Sequence, residues 1–331
     1  MCGTSVDESF DLLAERLAAS GRLLILTHAR PDPDGLGASA ALAACARASQ
    51  RAAKVLVPGD VPPRYAFLFP DGPPAGSGQF AKLADEADLI VILDTCATSQ
   101  LDDLADAIAR RREKVVVADH HVTPDDIGSL RWIDSTAAAA GVMTLELIEA
   151  LGWPMPAEAA EALLVAVAGD TGWFRFSNTD GRCLRAAARL MEAGSQADVL
   201  YARLYQSDRP ERLRLLERAL ASLSLHCGGK VALMQVRQSD FEQTGGRADE
   251  TENFVNEPLR IAQVEASVML VENSDVVRVS LRSRGGMDVS AVAGRFGGGG
   301  HVRAAGCRVS RPVETVAEEV VAACAEALGC A

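Results

Sequence analysis

What most limits how this chain can fold is a design repeated four times, an apolar run that stops abruptly at a carboxylate or an imidazole. Val115-Val116-Val117-Ala118 stops at Asp119-His120-His121, and Leu23-Leu24-Ile25-Leu26-Thr27 stops at His28 with Asp32 and Asp34 close behind. Asp88 to Leu93 stops at Asp94, and Leu163 to Gly169 at Asp170. Short runs rich in β-branched residues fit buried strands. Ligands of open parallel sheets bind outside the carboxyl ends of the strands, so the four tips predict one shared cluster of five Asp and three His.

Around these runs strands and helices alternate. An amphipathic opening helix is expected from Asp7 to Ser20, with Phe10, Leu12, Leu13 and Leu17 on one face. An Ala-rich helix follows from about Ala38 to Ser49, then a strand from Lys54 to Val57, a helix around Leu101 to Arg111, one ending near Ala150 and one from Ala157. Between His28 and Gly37, two prolines fix the loop while Gly35 and Gly37 permit tight turning, so the side chains of His28, Asp32 and Asp34 can converge. Pro58 to Gly78 reads as a long surface connection. The alternation calls for a doubly wound, mostly parallel α/β domain over residues 1–190. Residues 191–224 read as a helical linker to a smaller α/β domain at 225–331, with strands expected at 230–236, 265–271 and 276–282. A length of 331 residues suits two domains.

No apolar run approaches the ~20 residues of a membrane span, and Met1 to Glu8 lacks the basic flank and apolar core of a signal peptide. A soluble, cytoplasmic protein is expected. Eight cysteines without a C-x-x-C pair read as reduced, buried or incidental thiols, neither a zinc site nor a disulfide framework. Cys96, two residues past Asp94, is read as packing. A net charge of −12 argues against gripping long nucleic acid through its phosphates, yet a bound cation can reverse the sign of a site locally. From Arg278 to Arg311 the balance inverts: seven arginines against one acid, Asp288, suggest a surface built to face an anion.

A lone Asp at a strand end is ordinarily a turn former or a helix cap. Here the joint pattern decides, because four of the five histidines, His28, His120, His121 and His301, fall inside the motifs and only His226 does not. Five carboxylates at close range repel and raise one another's pKa, and two divalent cations would resolve this. Oxygen donors with some imidazole and no thiolate favour Mn²⁺ or Mg²⁺. A metal pair ~3.5–4 Å apart can activate water and clamp both oxygens of a phosphoryl displacement. Hydrolysis of a phosphate ester is therefore the leading chemistry.

The glycine run before His301 has an ordinary reading as a flexible loop. Packed-looking flanks favour a turn whose bare N–H groups at Gly298, Gly299 and Gly300 approach an anion, assisted by His301, Arg282, Ser283 and Arg284. Trp173, Phe174 and Phe176 are read as core in preference to a base-stacking platform.

His28-Ala29-Arg30-Pro31-Asp32-Pro33-Asp34-Gly35, Asp94, Asp119-His120-His121, Asp170-Thr171-Gly172-Trp173-Phe174 and Gly297 to Gly306 look like the five motifs of the DHH–DHHA1 phosphoesterases, in order and over nearly the whole length. Within that family the chain most resembles the stand-alone bacterial nanoRNase/pAp phosphatases. Arg30 stands where Asn is frequent and Gly169 where Thr is frequent; neither is an expected ligand. The resemblance implies that His28 and Asp32 bind one Mn²⁺, that Asp34, His120 and Asp170 bind another, and that Asp94 bridges both. It further implies that His121 contacts the scissile phosphate while Asp119 orients the histidines. The C-terminal domain would close over the cleft, with His301 and its glycines near the phosphate and Arg282 with Ser283 at the nucleotide end.

The expected function is a two-metal, Mn-dependent phosphodiesterase that degrades oligoribonucleotides of a few units to mononucleotides and also acts as a pAp 3′-phosphatase. The length leaves no room for the sensory modules of the family's cyclic-dinucleotide enzymes or the extra domains of RecJ-type exonucleases. The runner-up is a phosphodiesterase for cyclic di-AMP or pApA; the alternative of another class is a catalytically silent nucleotide-binding protein. Expected partners are short RNA or small nucleotides such as pAp, with no membrane and no long DNA, and a homodimer is compatible with this reading.

Overall fold

The computed structural model describes residues 6–121, 125–274 and 276–330, with His301 described by its backbone only. The chain divides into two compact units, Met1–Gln206 and Ser207–Ala331.

The first unit runs α1 (Val6–Ala19), β1 (Arg22–Leu26), α2 (Pro33–Ala48), β2 (Ala52–Leu56), α3 (Phe80–Glu86), β3 (Leu89–Leu93), α4 (Ala105–Ala109), β4 (Val115–Asp119), β5 (Leu130–Ile133), α5 (Ala140–Ala150), α6 (Ala157–Asp170), α7 (Gly181–Glu192) and α8 (Ala197–Tyr205). Its sheet has the order β2-β1-β3-β4-β5 with every pairing parallel. The order reverses between β1 and β3, the place where such sheets open a crevice at their carboxyl edge. Alternate strand residues feed opposite faces. Leu23, Ile25, Val91, Leu93 and Val116 pack with residues of α1, α2, α5 and α6, while Leu24, Leu26, Ile90, Ile92 and Val117 pack with α3 and α4. Cover on both faces is why these strands read as unbroken apolar runs.

The fourth apolar run departs from expectation. Leu163 to Gly169 is the end of helix α6, buried on nearly every side between α2, α5 and α7. A helix buried all round loses its amphipathic stripe, so its sequence cannot be told from a buried strand by periodicity. The segment from His28 also differs: α2 begins at Pro33, with Asp32 as its N-cap, so Gly35 and Gly37 lie inside the helix and not in a turn. They are needed for close approach, since a Cβ on Gly35 would strike Thr27 and one on Gly37 would strike the backbone of Ala162 and Ala166 in α6. The surface connection 58–78 contains a 3₁₀ helix, Pro63–Leu68, that buries Tyr65 and Leu68. In α1, Leu13 and Leu17 are buried but Leu12 is exposed, and the helix expected near 101–111 shortens to α4 between single turns.

The second unit comprises α9 (Pro210–Ala221), β6 (Ser224–His226), β7 (Val231–Val236), α10 (Gln238–Thr244), β8 (Ala266–Asn273), β9 (Val276–Ser283), α11 (Val289–Gly294), β10 (Gly299–His301), β11 (Ala304–Val309) and α12 (Val313–Ala327). Its sheet order is β10-β11-β9-β8-β7-β6, antiparallel except for β7 with β8. One face packs against α11 and α12, the other against α9 and the 3₁₀ helix Phe254–Arg260. The segment 191–224 is thus shared out: α8 packs on α6 in the first unit and α9 on β7 in the second. Part of the glycine run is the outer strand β10, pairing Gly299 with Gly306 and Gly300 with Ala305, so its backbone is in a ladder where a turn was expected.

The cysteines require one correction. Cys227 and Cys330 form a disulfide with Cα atoms 5.9 Å apart, a pairing over 103 residues that no local spacing announces. Cys45, Cys96, Cys183, Cys307 and Cys324 are buried thiols, as expected of packing residues. Among the described residues, no helix is long and apolar enough to cross a membrane.

Candidate metal centre

At the carboxyl edge of β1, β3 and β4 the predicted side chains converge. Asp94, the first residue past β3, takes a left-handed backbone (φ +63°), unusual for a residue with a Cβ and found where the surroundings enforce it. That turn places its carboxylate between two imidazoles. Oδ2 lies 3.4 Å from Nε2 of His28, just past β1, and Oδ1 lies 3.4 Å from Nε2 of His120, just past β4. His28 Nε2 is also 3.6 Å from Asp32 Oδ1; His120 Nε2 is 3.6 Å from Asp34 Oδ2 and 3.4 Å from Asp170 Oδ2. These spacings exceed the 2.7–3.2 Å of ordinary hydrogen bonds. They suit donors that share an ion ~2.1 Å from each.

Two triads can each hold a cation, His28 with Asp32 and Asp94, and Asp34 with His120 and Asp170, their donor atoms lying within 4.8 Å of one another. A third combination, Asp94 with His120 and His121, meets the same limit. All donors are carboxylate oxygen or imidazole nitrogen. Cys96 is buried with its thiol on the Asp125 carbonyl, 3.3 Å away, and takes no part.

Several of the candidate ligands are held from behind. Asp32 Oδ1 accepts from the amides of Asp34 and Gly35, capping α2. Fully buried Asp34 accepts from Ala140 and Gly141, at 2.6 and 2.8 Å, so the positive end of α5 faces it. His120 Nδ1 lies 3.2 Å from the Ala137 carbonyl, which keeps a proton on Nδ1 and aims Nε2 into the site. Asp119, fully buried, accepts from the amides of His120 and His121 and holds His121 Nδ1 at 2.7 Å. Asn178, which no sequence signal singled out, donates to the carbonyls of Ala138 and Asp170, at 3.0 and 3.1 Å. It ties the end of α6 to the segment behind His120.

The side chains balance their own charge with protons. Burial opposes a charge on His28, but Asp32 and Asp94 outweigh it and raise its pKa to about 10; His120 reaches about 10 against the same opposition, through Asp94, Asp34 and Asp170. Burial and then the Asp94 charge raise Asp170 to about 7, and the same causes hold Asp34 well above the carboxylate range. Asp94 moves the other way: despite burial, His120 and His28 keep it well below its usual value. Bonding to Asp119 raises His121.

Apart from His121, the residues expected at the substrate are in the second unit. Arg282 is on β9 with Nη1 on its neighbour's carbonyl, Leu281, and burial lowers its pKa. Ser283 donates to the Met287 carbonyl at 2.7 Å, and Arg284 reaches the carbonyls of Ala262 and Leu259. Gly298 lies just before β10, and Gly299, Gly300 and His301 form it; the His301 side chain is outside what the structure describes. Trp173 and Phe174 pack half-buried against the core of the first unit, whereas Phe176 is exposed and lies over Gly172.

A family model described as the DHH family, N-terminal domain, matches residues 22–167, and one described as the DHHA1 domain matches residues 228–329. Fold and site therefore define the class as DHH–DHHA1 phosphoesterases. A "Bifunctional oligoribonuclease and PAP phosphatase NrnA" of Thermus thermophilus is 32% identical over 96% of this chain and 96% of its own length; one of Bacillus subtilis is 27% identical over 87% and 89%. An exopolyphosphatase-related protein from Bacteroides fragilis has the same fold, with a TM-score of 0.91 at 23% identity, covering 97% of this chain and 96% of its own. The chain belongs to the family of the bifunctional oligoribonuclease and PAP phosphatase NrnA proteins.

Proposed function

We propose that the protein is a divalent-cation-dependent phosphoesterase that hydrolyses oligoribonucleotides of a few units to mononucleotides and removes the 3′-phosphate of pAp in the cytoplasm. The observation that carries this reading is Asp94, whose two oxygens each face a different imidazole at 3.4 Å, the arrangement of a carboxylate shared by two ions. His28, Asp32 and Asp94 would hold one cation and Asp34, His120, Asp170 and Asp94 the other, with Mn²⁺ favoured by the donor set. Such a pair supplies an activated water and a clamp on the phosphate oxygens. The rest belongs to the chain. Asp119 holds the proton on His121 Nδ1 and so sets the direction in which the ring meets the phosphate. The α2 and α5 N-termini offset the carboxylate charge. Arg282 is assigned to the nucleotide end of the substrate and His301 to its phosphate. Names borne by the Thermus and Bacillus relatives support the substrate class.

The test is a turnover series with Mn²⁺ on RNAs of two to five units, pAp, pApA and cyclic di-AMP. Rapid loss of short RNA and pAp, with cyclic di-AMP untouched, is expected. Preference for the cyclic compound, or nucleotide binding without turnover, overturns the reading. Light scattering decides whether the active form is a homodimer.

A further inference from the structure

All three tyrosines of the chain, Tyr65, Tyr201 and Tyr205, lie in the first unit, two of them gathered on one tryptophan. Trp173 follows Asp170 by three residues, in a turn where Gly172, Trp173 and Phe174 all take left-handed backbone, with φ of +55°, +57° and +61°. That conformation is unfavourable for residues with a Cβ and persists only where other bonds enforce it. Here Thr171 does so, its hydroxyl donating to the Val167 carbonyl at 2.6 Å and accepting from the Phe174 amide, while the Trp173 amide reaches the Ala168 carbonyl at 2.7 Å.

The turn sets the indole nearly perpendicular to two rings on α8. Trp173 is 5.1 Å from Tyr201 at 82° and 5.8 Å from Tyr205 at 78°, and the two tyrosines are 5.2 Å apart. Edge-on packing of this kind is favourable and orders the rings. A core cluster would be covered, yet Tyr201 and Tyr205 are 42% and 38% exposed, because α8 spends Leu200 and Leu204 on the interior. The group is tied to the metal centre along the chain, Trp173 lying three residues past Asp170. The 3₁₀ helix carrying Tyr65 packs on α8, and the Tyr65 hydroxyl, pushed up to about 12 by burial against the pull of Arg64, feels both Tyr205 and Asp32.

We propose that Tyr201 and Tyr205, backed by Trp173, form a stacking platform for one nucleobase of the substrate whose phosphate would be held by the cations that Asp32 and Asp170 ligate, an inference that rests on the phosphoesterase reading above. Ordered, exposed aromatic faces beside a phosphate site match the chemistry of a nucleotide, since every base offers a π face and stacking tolerates any sequence. The platform makes these tyrosines positioning residues that select nucleotides over base-free phosphate esters.

The experiment compares the parent protein with Tyr201→Ala/Tyr205→Ala and Tyr201→Phe/Tyr205→Phe, each checked by circular dichroism and melting. Steady-state hydrolysis is measured on pApA and on the same dinucleotide lacking both bases, and equilibrium binding of AMP and of ribose 5-phosphate is measured by calorimetry. The double alanine variant should lose about tenfold or more in kcat/KM on pApA, mostly through KM, and a similar factor in AMP affinity, with the base-free compounds unchanged. The double phenylalanine variant should recover both, because stacking needs no hydroxyl. Equal losses on base-bearing and base-free compounds, or no loss at all, overturn the platform. Selective AMP binding that depends on the tyrosines, in a protein that hydrolyses none of the esters, would retain the platform and overturn the catalytic reading instead.

Discussion

A single carboxylate stands between the two imidazoles of the candidate centre. Asp94 is 2% exposed, and its negative charge is the one that both imidazoles and both neighbouring acids respond to. Asp94→Asn keeps the shape but removes the negative charge and leaves one oxygen donor of the two. We expect turnover to fall by at least about a thousandfold, given the several kcal/mol such cations supply, and bound metal measured by atomic emission to drop. Full metal occupancy with normal rates would refute a bridging role. Protons and cations also compete for these groups. His28 and His120, at about 10, and Asp170, at about 7, are raised, so at pH 6 each carries a proton that an incoming cation must displace. Affinity for Mn²⁺ should therefore rise with pH, by up to about tenfold per unit for each proton displaced, and less steeply above pH 7 once Asp170 has already lost its own. Titrations in two buffers of different ionisation heat would count the protons; an affinity flat between pH 6 and 8 would contradict the assignment.

Helices as much as strands bring the ligands together. The α2–α6 contact is close because Gly37 lacks a side chain: a Cβ there would meet the Ala162 carbonyl and the Ala166 amide, backbone atoms that cannot swing aside. Gly37→Ala should cost about 1–3 kcal/mol in urea unfolding even though alanine favours helix by about 1 kcal/mol, since overpacking prevails over propensity. Gly78→Ala, with open space around it, should be neutral; equal effects at the two positions would remove the packing argument. The same contact explains what was legible in the sequence. β1, β3 and β4 announced themselves because strands covered on both faces become continuous apolar runs ending at the functional edge, and three of the six candidate ligands, His28, Asp94 and His120, were readable as the polar residues at those ends. Leu163 to Gly169 was misread as a strand because a buried helix carries no stripe, and Gly35 and Gly37 as turn formers because glycine required by a neighbouring helix looks the same as glycine required by φ. Asn178, the Ala137 carbonyl and the amides of α5 were invisible, since their roles come from contacts across 8 to 107 residues that no local pattern records.

Across the whole molecule, charge and chemistry are divided between the units. The six candidate ligands, their supporting amides and the aromatic group all fall within Met1–Gln206, which has two apolar layers of its own, whereas the arginine-rich stretch 278–311 and the disulfide lie in Ser207–Ala331. Cation binding should therefore be a property of residues 1–206 alone. Expressed by itself, that segment should take up Mn²⁺ with the stoichiometry and affinity of the full chain. At a free concentration about a hundred times the dissociation constant, each independent ion adds roughly 2.7 kcal/mol, which raises the melting temperature of a unit this size by about 5–10 °C. Residues 207–331 should show no such shift. A first unit that folds but binds Mn²⁺ only when the second is present would mean that a ligand is missing from the six, and the direct way to find it would be to replace the histidine outside them in the second unit's glycine strand, His301, and ask whether the full chain then loses its metal.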